Sequence, residues 1–253
     1  MRTNHPHRAC AMLMATTIGL SIGCSTEAIN IDLSEQGVLT LLAERVSGSS
    51  IATATAHISD SSLLGLVAPN VLLADDQIIA INSVPLSKST LTSLGIESTY
   101  TANVEAAESS ESYKLSFDNQ GVTTTFDADA PSDFDDVEPS IGDEVDYNGF
   151  DIEWDSASSS DGTTIDIVID GSATSYSSDG VLSVVDHSVA FENLADDGLF
   201  SIGTTDLEYF NPGTITVTIT RTKVVSQKLG FSTGTLTFSI TKTITLNLVD
   251  VEA

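Results

Sequence analysis

Cysteine, histidine, tryptophan and basic residues are all scarce in this chain of 253 residues, which has 2 Cys, 4 His, 1 Trp and 9 Lys plus Arg. Two cysteines cannot build a disulfide framework, and with four histidines they cannot supply a zinc-finger or haem-type ligand set. Set against 36 Asp plus Glu, the basic groups leave a formal charge of -27. That balance repels phosphate and excludes nucleic acid or an anionic membrane surface as an electrostatic partner. Aromatic residues, at 6%, are too thin for a carbohydrate platform. What is present is an apolar fraction of 41%, enough to form a core and to separate the chain from acidic disordered tails.

The amino terminus places Arg2, His5, His7 and Arg8 before an apolar stretch, Ala9 to Leu20, which closes in Ser21-Ile22-Gly23-Cys24. Charge before a short apolar run and small residues at its end are the parts of a secretory signal peptide. The stretch is shorter than the roughly 20 apolar residues a spanning helix needs. Its last residues resemble the lipobox of bacterial lipoproteins, with Ser21 where an aliphatic residue is usual and Leu20 one step earlier. The resemblance implies cleavage between Gly23 and Cys24, diacylglycerol on the Cys24 thiol and an acyl chain such as palmitate on the new amino group. With Ser25 rather than Asp after the cysteine, it also implies the outer membrane, on its periplasmic or surface side. The membrane is then a partner through acyl chains alone, each buried methylene contributing about 0.8 kcal/mol. Such cleavage leaves 7 basic and 36 acidic groups, a net of -29, and a single cysteine. Without a disulfide, stability is expected to rest on the apolar core.

Beyond a tether at 24–30, short apolar-alternating runs are separated by Gly, Asn, Asp, Ser and Pro. Val38 to Val46 and Ile51 to Ile58 read as a hairpin around Ser47-Gly48-Ser49-Ser50, with a helix over Ser34 to Val46 as the alternative. Strands are expected at Leu63 to Leu73, Gln77 to Ile81, Tyr100 to Glu105, Ser112 to Phe117 and Val122 to Phe126. This cadence predicts a β-sandwich over 31–126. Between Asp127 and Asp155 stand twelve acidic residues and no Lys or Arg. With Pro131 and Pro139, the part at 127–139 reads as an extended, hydrated acidic linker.

A second sandwich is expected over 140–253. Asn148-Gly149, Asp161-Gly162, Asp170-Gly171, Asp179-Gly180 and Asp197-Gly198 are turn dipeptides. Between them, Phe150, Ile152 and Trp154 alternate with Asp151, Glu153 and Asp155, as Ile165, Ile167 and Ile169 do with polar neighbours, giving each strand one buried face. With the run Phe191 to Ile202, this half resembles fibronectin type III and related immunoglobulin-like modules, with Phe200 where a Tyr is usual. The fold class is therefore all-β, with two immunoglobulin-like sandwiches after the export segment. A closing hairpin sets Ile215, Val217 and Ile219 against Leu236, Phe238, Ile240, Ile244, Leu246 and Leu248, with threonines on the opposite parity. Lys242 interrupts the apolar face and is expected at a bulge or a guarded edge.

Gly230-Phe231-Ser232-Thr233-Gly234 matches the nucleophile-elbow pattern, but a Thr-rich strand rather than a helix follows, and no His stands downstream; it reads as a hairpin loop. His57 and His187 lack a second ligand nearby, so no zinc site is expected. The one chemically plausible cofactor is calcium, on Asp127, Asp129, Asp133, Asp135 and Asp136, although the EF-hand spacing is absent. No catalytic set is offered, so the chain is expected to be a non-enzymatic, lipid-anchored envelope protein that serves as a structural or protein-interaction module. The alternative is an envelope glycan-binding accessory protein with Trp154 stacked on sugar. An exposed β edge would favour the first, an aromatic-lined groove the second.

Overall fold

The computed structural model describes residues 37–60, 73, 76–90, 98–107, 112–119, 121–157, 162–176, 179, 181–229 and 232–250. Alternation does build strands here. In β1 (Gly37–Val46), Leu39, Leu41 and Ala43 are buried while Thr40 and Glu44 are exposed, which excludes the helical alternative over those residues. β1 turns back into β2 (Ile51–Asp60), the expected hairpin. The expected run from Leu63 to Leu73 lies, apart from Leu73, outside the described residues.

The first half continues through β3 (Gln77–Ile81), β4 (Val84–Pro85), β5 (Ser87–Thr90), β6 (Ser98–Glu105), β7 (Ser112–Asn119) and β8 (Val122–Asp129). Asn82 and Ser83 both take positive φ, the backbone twist that a two-residue β3–β4 hairpin requires. The second half holds β9 (Val137–Glu138), β10 (Glu144–Asp146), β11 (Gly149–Trp154), β12 (Thr163–Tyr176), β13 (Leu182–Ala195) and β14 (Leu199–Gly203). A single helical turn, α1 (Thr204–Leu207), precedes the long hairpin of β15 (Gly213–Leu229) and β16 (Ser232–Val249).

One nine-stranded sheet, ordered β13-β12-β15-β16-β1-β2-β6-β5 with β10 also beside β16, forms a continuous layer. A four-stranded sheet, β4-β3-β7-β8, and a three-stranded sheet, β14-β11-β9, supply the opposing layers. Two apolar cores result. The first joins β1, β2 and β6 to β3, β7 and β8; the second joins β12 and β15 to β11, β14 and β9. The protein is thus an all-β layered sandwich.

The two cores do not divide at 127–139. β16 gives Leu236 and Phe238 to the first core and Ile240, Ile244, Leu246 and Leu248 to the second. It pairs in parallel with β1 over Val38↔Thr233 to Val46↔Thr241, then with β10 over Glu144↔Asn247 to Asp146↔Val249. A hairpin with strands roughly 55 Å long, at about 3.3 Å per residue, therefore spans both cores. The segment read as a hydrated linker carries the end of β8 and all of β9, and it buries Phe134 and Val137 in the second core. Burying those two side chains outweighs the mutual repulsion of carboxylates that remain at the surface.

Two further expectations change. Asp170-Gly171 is not a turn but lies inside β12. A side chain at Gly171 would meet the Phe210 ring at 2.8 Å, so the glycine admits that ring rather than reversing the chain. Lys242 does not sit at a bulge: β15 and β16 stay in register through Ile219↔Lys242, and only its other side is locally unpaired. It falls where the other neighbour of β16 changes from β1 to β10, a gap that keeps it half-exposed.

Candidate interaction surface

Gly23 and Cys24, the expected cleavage and lipidation positions, lie outside the described residues. Among the described residues no helix is long and apolar enough to cross a membrane. The acidic positions offered for calcium are spread apart. Asp127 and Asp129 are exposed on β8, where Asp129 accepts a 2.6 Å hydrogen bond from Ser112 Oγ. Asp135 and Asp136 are exposed, whereas Asp133 is turned toward Arg45 at 3.1 Å and accepts the Gly48 N–H at 2.9 Å. Among the described residues, no three acidic, His or Cys side chains are arranged to hold a metal.

The most elaborate polar cluster is one the sequence reading did not anticipate. Arg221 shares the parity of Ile215, Val217 and Ile219 and is fully buried where the two cores meet on β15. Its Nε donates to Asp196 Oδ2 at 2.7 Å and Nη2 to Asp196 Oδ1 at 3.1 Å. Nη1 donates to the carbonyls of Ser132 at 2.8 Å and Asp133 at 3.1 Å, and Nη2 also to the carbonyl of Asp155. The guanidinium lies 4.5 Å from the centroid of the Phe134 ring. Asp196 in turn accepts from Trp154 Nε1 at 2.8 Å and Thr163 Oγ1 at 2.7 Å. All five guanidinium N–H groups are therefore engaged, the condition under which a buried ion pair is tolerated. The inward charge on an alternating strand was the available signal. Arg45 and Arg221, the two arginines among the described residues, thus hold the acidic segment, so cohesion does not rest on apolar packing alone.

Burial raises the pKa of Asp196, but hydrogen bonds from Arg221, Thr163 and Trp154, with the Arg221 charge, outweigh it and hold the carboxyl below the ordinary range. Burial likewise opposes ionisation of Asp133, and hydrogen bonds from Gly48, Ser47 and Phe134, with Arg45, again prevail. A lowered folded-state pKa contributes stability that is fully present above the unfolded value, about 3.9, and is lost as pH falls through the folded value. Urea denaturation between pH 6 and 3, on the order of the acidic range, is expected to show a smaller decline below about pH 4 in Asp196→Asn than in the wild-type chain. Parallel declines would remove Asp196 as a contributor.

This junction is closed, so a surface able to meet a partner lies elsewhere. β12 pairs with β15 only over Thr163↔Lys223 to Asp170↔Thr216, whereas its pairing with β13 continues to Tyr176↔Leu182. The ends of β12 and β13 therefore run past β15 as a two-stranded ribbon. Its root is braced on the β12 side. The Asn211 N–H donates to Ser172 O at 2.7 Å, Thr174 Oγ1 to Asn211 Oδ1 at 2.8 Å, and Phe210 bridges to Ala173. From β13, His187 packs edge-on against Phe210 at 4.8 Å.

The outer edge of β13 has no strand beside it among the described residues. Near its carboxyl end it is blunted, because Glu192 and Asn193 oppose Asp166 in a bulge, with Asn193 at positive φ and its N–H on Asp166 Oδ1 at 2.7 Å. From Leu182 to His187 the ladder is regular. Here Tyr176 is 71% exposed, Leu182 56% and Val184 68%. The pairs Tyr176↔Leu182 and Thr174↔Val184 place these three on one face. A regular, apolar, unpaired edge is the kind of strand that folded proteins ordinarily disguise. His57 is exposed on β2, whereas Trp154 is buried with its indole N–H on Asp196 and so presents no face for a sugar to stack on.

Fold and edge together define a layered β-sandwich protein with a projecting strand pair. No family model and no curated protein matches the chain. Among solved structures it is similar to the FN1-FN3 domains of chicken CNTN1, at 10% identity and a TM-score of 0.22, over 80% of this chain and 67% of that one.

Proposed function

We propose that this chain is a non-catalytic, lipid-anchored module of the bacterial envelope that binds a protein partner by accepting a strand at the edge of β13. The observation that carries the reading is the regular outer edge of Leu182 to His187, bordered by exposed Tyr176, Leu182 and Val184. A partner strand laid there would satisfy its own backbone groups on those of β13 and cover the apolar side chains, the physics of strand addition. The anchor is read from the resemblance of the Ser21 to Cys24 segment to a lipobox, and outer-membrane placement from Ser25. Acyl chains at the amino terminus would hold the sandwich beside its partner and raise its effective concentration there.

The test combines fractionation with cross-linking in intact cells. The wild-type chain is expected with membranes, starting at an acylated Cys24 by mass spectrometry, and Cys24→Ala in the soluble fraction. A lysine at an edge position opposes strand pairing, so Val184→Lys is expected to lose the cross-linked partner while keeping wild-type Trp154 emission. A partner retained by Val184→Lys would refute binding at this edge, and an unacylated wild-type chain would refute the anchor.

A further inference from the structure

Taking the β13 edge as the binding site, as proposed above, we infer that its occupant is an extended segment of another polypeptide carrying a basic side chain flanked by apolar ones. The inference rests on charge. From Thr163 to Ala195 the chain contains Asp166, Asp170, Asp179, Asp186 and Glu192 and no Lys or Arg. On the face away from the core, Asp186 follows Leu182 and Val184 at two-residue intervals, so apolar side chains at the ribbon's end give way to a carboxylate. Asp186 lies opposite Ser172, and Asp170 opposite Ser188, which makes the two carboxylates diagonal neighbours across the pair. Both are exposed, and neither is in an ion pair among the described residues.

A groove of about 580 Å³ opens beside them, lined by Asp170, Ser172, Asp186, Ser188, Thr214 and Thr216. The carboxylates accept, the hydroxyls can accept or donate, and the lining contains no Lys or Arg; His187, which also lines the groove, packs against Phe210. A strand added to β13 would place its residues of one parity along Leu182, Val184 and Asp186. An arginine or lysine beside Asp186 would lie over this groove and face both carboxylates, while its apolar neighbours covered Leu182 and Val184. A second copy of the chain is the poorer occupant: its β13 carries Asp186 and Glu192 and no Lys or Arg, so it brings no cation to Asp170 and Asp186, in a molecule of net charge -27.

The full chain is titrated, by fluorescence anisotropy, with labelled synthetic peptides of alternating Val and Thr. They carry at one central position Arg, Ser or Glu, and a fourth repeats the Arg peptide with N-methylated backbone on one edge. The Arg peptide is expected to bind roughly threefold to tenfold more tightly than the Ser peptide at low salt, and the Glu peptide more weakly than either. The Arg advantage should shrink at high salt and disappear in Asp170→Ser/Asp186→Ser. Arg, Ser and Glu peptides binding alike, with the N-methylated peptide silent, would overturn the basic partner and leave the strand-accepting edge standing. Failure of all peptides, or equal binding of the N-methylated one, would overturn both. Sedimentation showing self-association of the chain alone, lost in Val184→Lys, would replace the basic partner with a second copy.

Discussion

Replacing Arg221 with alanine is expected to lower the unfolding free energy by about 3–5 kcal/mol, because removing one member of a buried pair strands the other without compensation. The stranded group is the Asp196 carboxylate, on a side chain that is 3% exposed. The carbonyls of Ser132, Asp133 and Asp155 lose their donors in the same step. Arg221→Lys is expected to recover little of the loss. An ammonium has three donors on one atom and cannot reach acceptors that a planar fork addresses from three nitrogens. Arg221→Met with Asp196→Leu should recover only part of the loss: the apolar pair removes the charge along with its partner, but it leaves Trp154 Nε1, Thr163 Oγ1 and the three carbonyls unpaired. Urea titration followed by Trp154 emission checks the series, because the single tryptophan donates to Asp196. A loss below about 1 kcal/mol, the scale of an exposed ion pair, would show that water reaches the cluster.

A second large effect is expected in the other core. Phe238→Ala removes a fully buried ring that stacks on Tyr113 at 5.1 Å, a truncation costing about 3–5 kcal/mol. The informative part is where the loss is seen. Phe238 belongs to the first core and Trp154 to the second, yet β16 runs without a register break through both. Loss of the first core frees β1 and the upper part of β16, and with them the backing of the Arg221 cluster. The unfolding midpoint read from Trp154 should therefore fall together with that read from far-ultraviolet circular dichroism, in one transition. A Trp154 midpoint unchanged by Phe238→Ala would mean that the cores unfold independently.

Much of the local architecture is legible in the residues themselves. Ile215, Val217, Ile219, Leu236, Phe238, Ile240, Ile244, Leu246 and Leu248 alternate with polar positions, and all are buried. The turn after Asp197 shows at Gly198, with φ of 95°, and the Ile152 and Trp154 face points inward. The alternation also contained the clue to Arg221, an inward charge that continues the buried parity of Ile215, Val217 and Ile219. The pair Asp170-Gly171 misleads for a related reason. Turn chemistry is a local preference, and here the demand on Gly171 comes from Phe210, a residue 39 positions away that approaches from another element.

The projecting ribbon is the less legible part of the candidate site. Its sequence shows two runs of strand-forming residues around Ser177 to Gly180, but not that β15 stops short of them or that Asn211 braces one side while, among the described residues, no strand lies along the other. Exposure of Leu182 and Val184 follows from their parity on the face of β13 turned away from the core, which the described residues leave uncovered, whereas hydrophobicity alone would have placed them inside.

Residue order by itself determined the long alternating strands and which of their faces is buried, because the two-residue period of the pleat is written into consecutive side chains. Tertiary structure alone decided which strands meet. The parallel seam of β1 on β16 joins Val38 to Thr233, and the Arg221 clasp reaches back 89 positions to Ser132. Register across such separations is chosen by the burial of whole faces at once. That collective choice makes one hairpin serve two cores and, among the described residues, leaves the outer edge of β13 without a neighbouring strand.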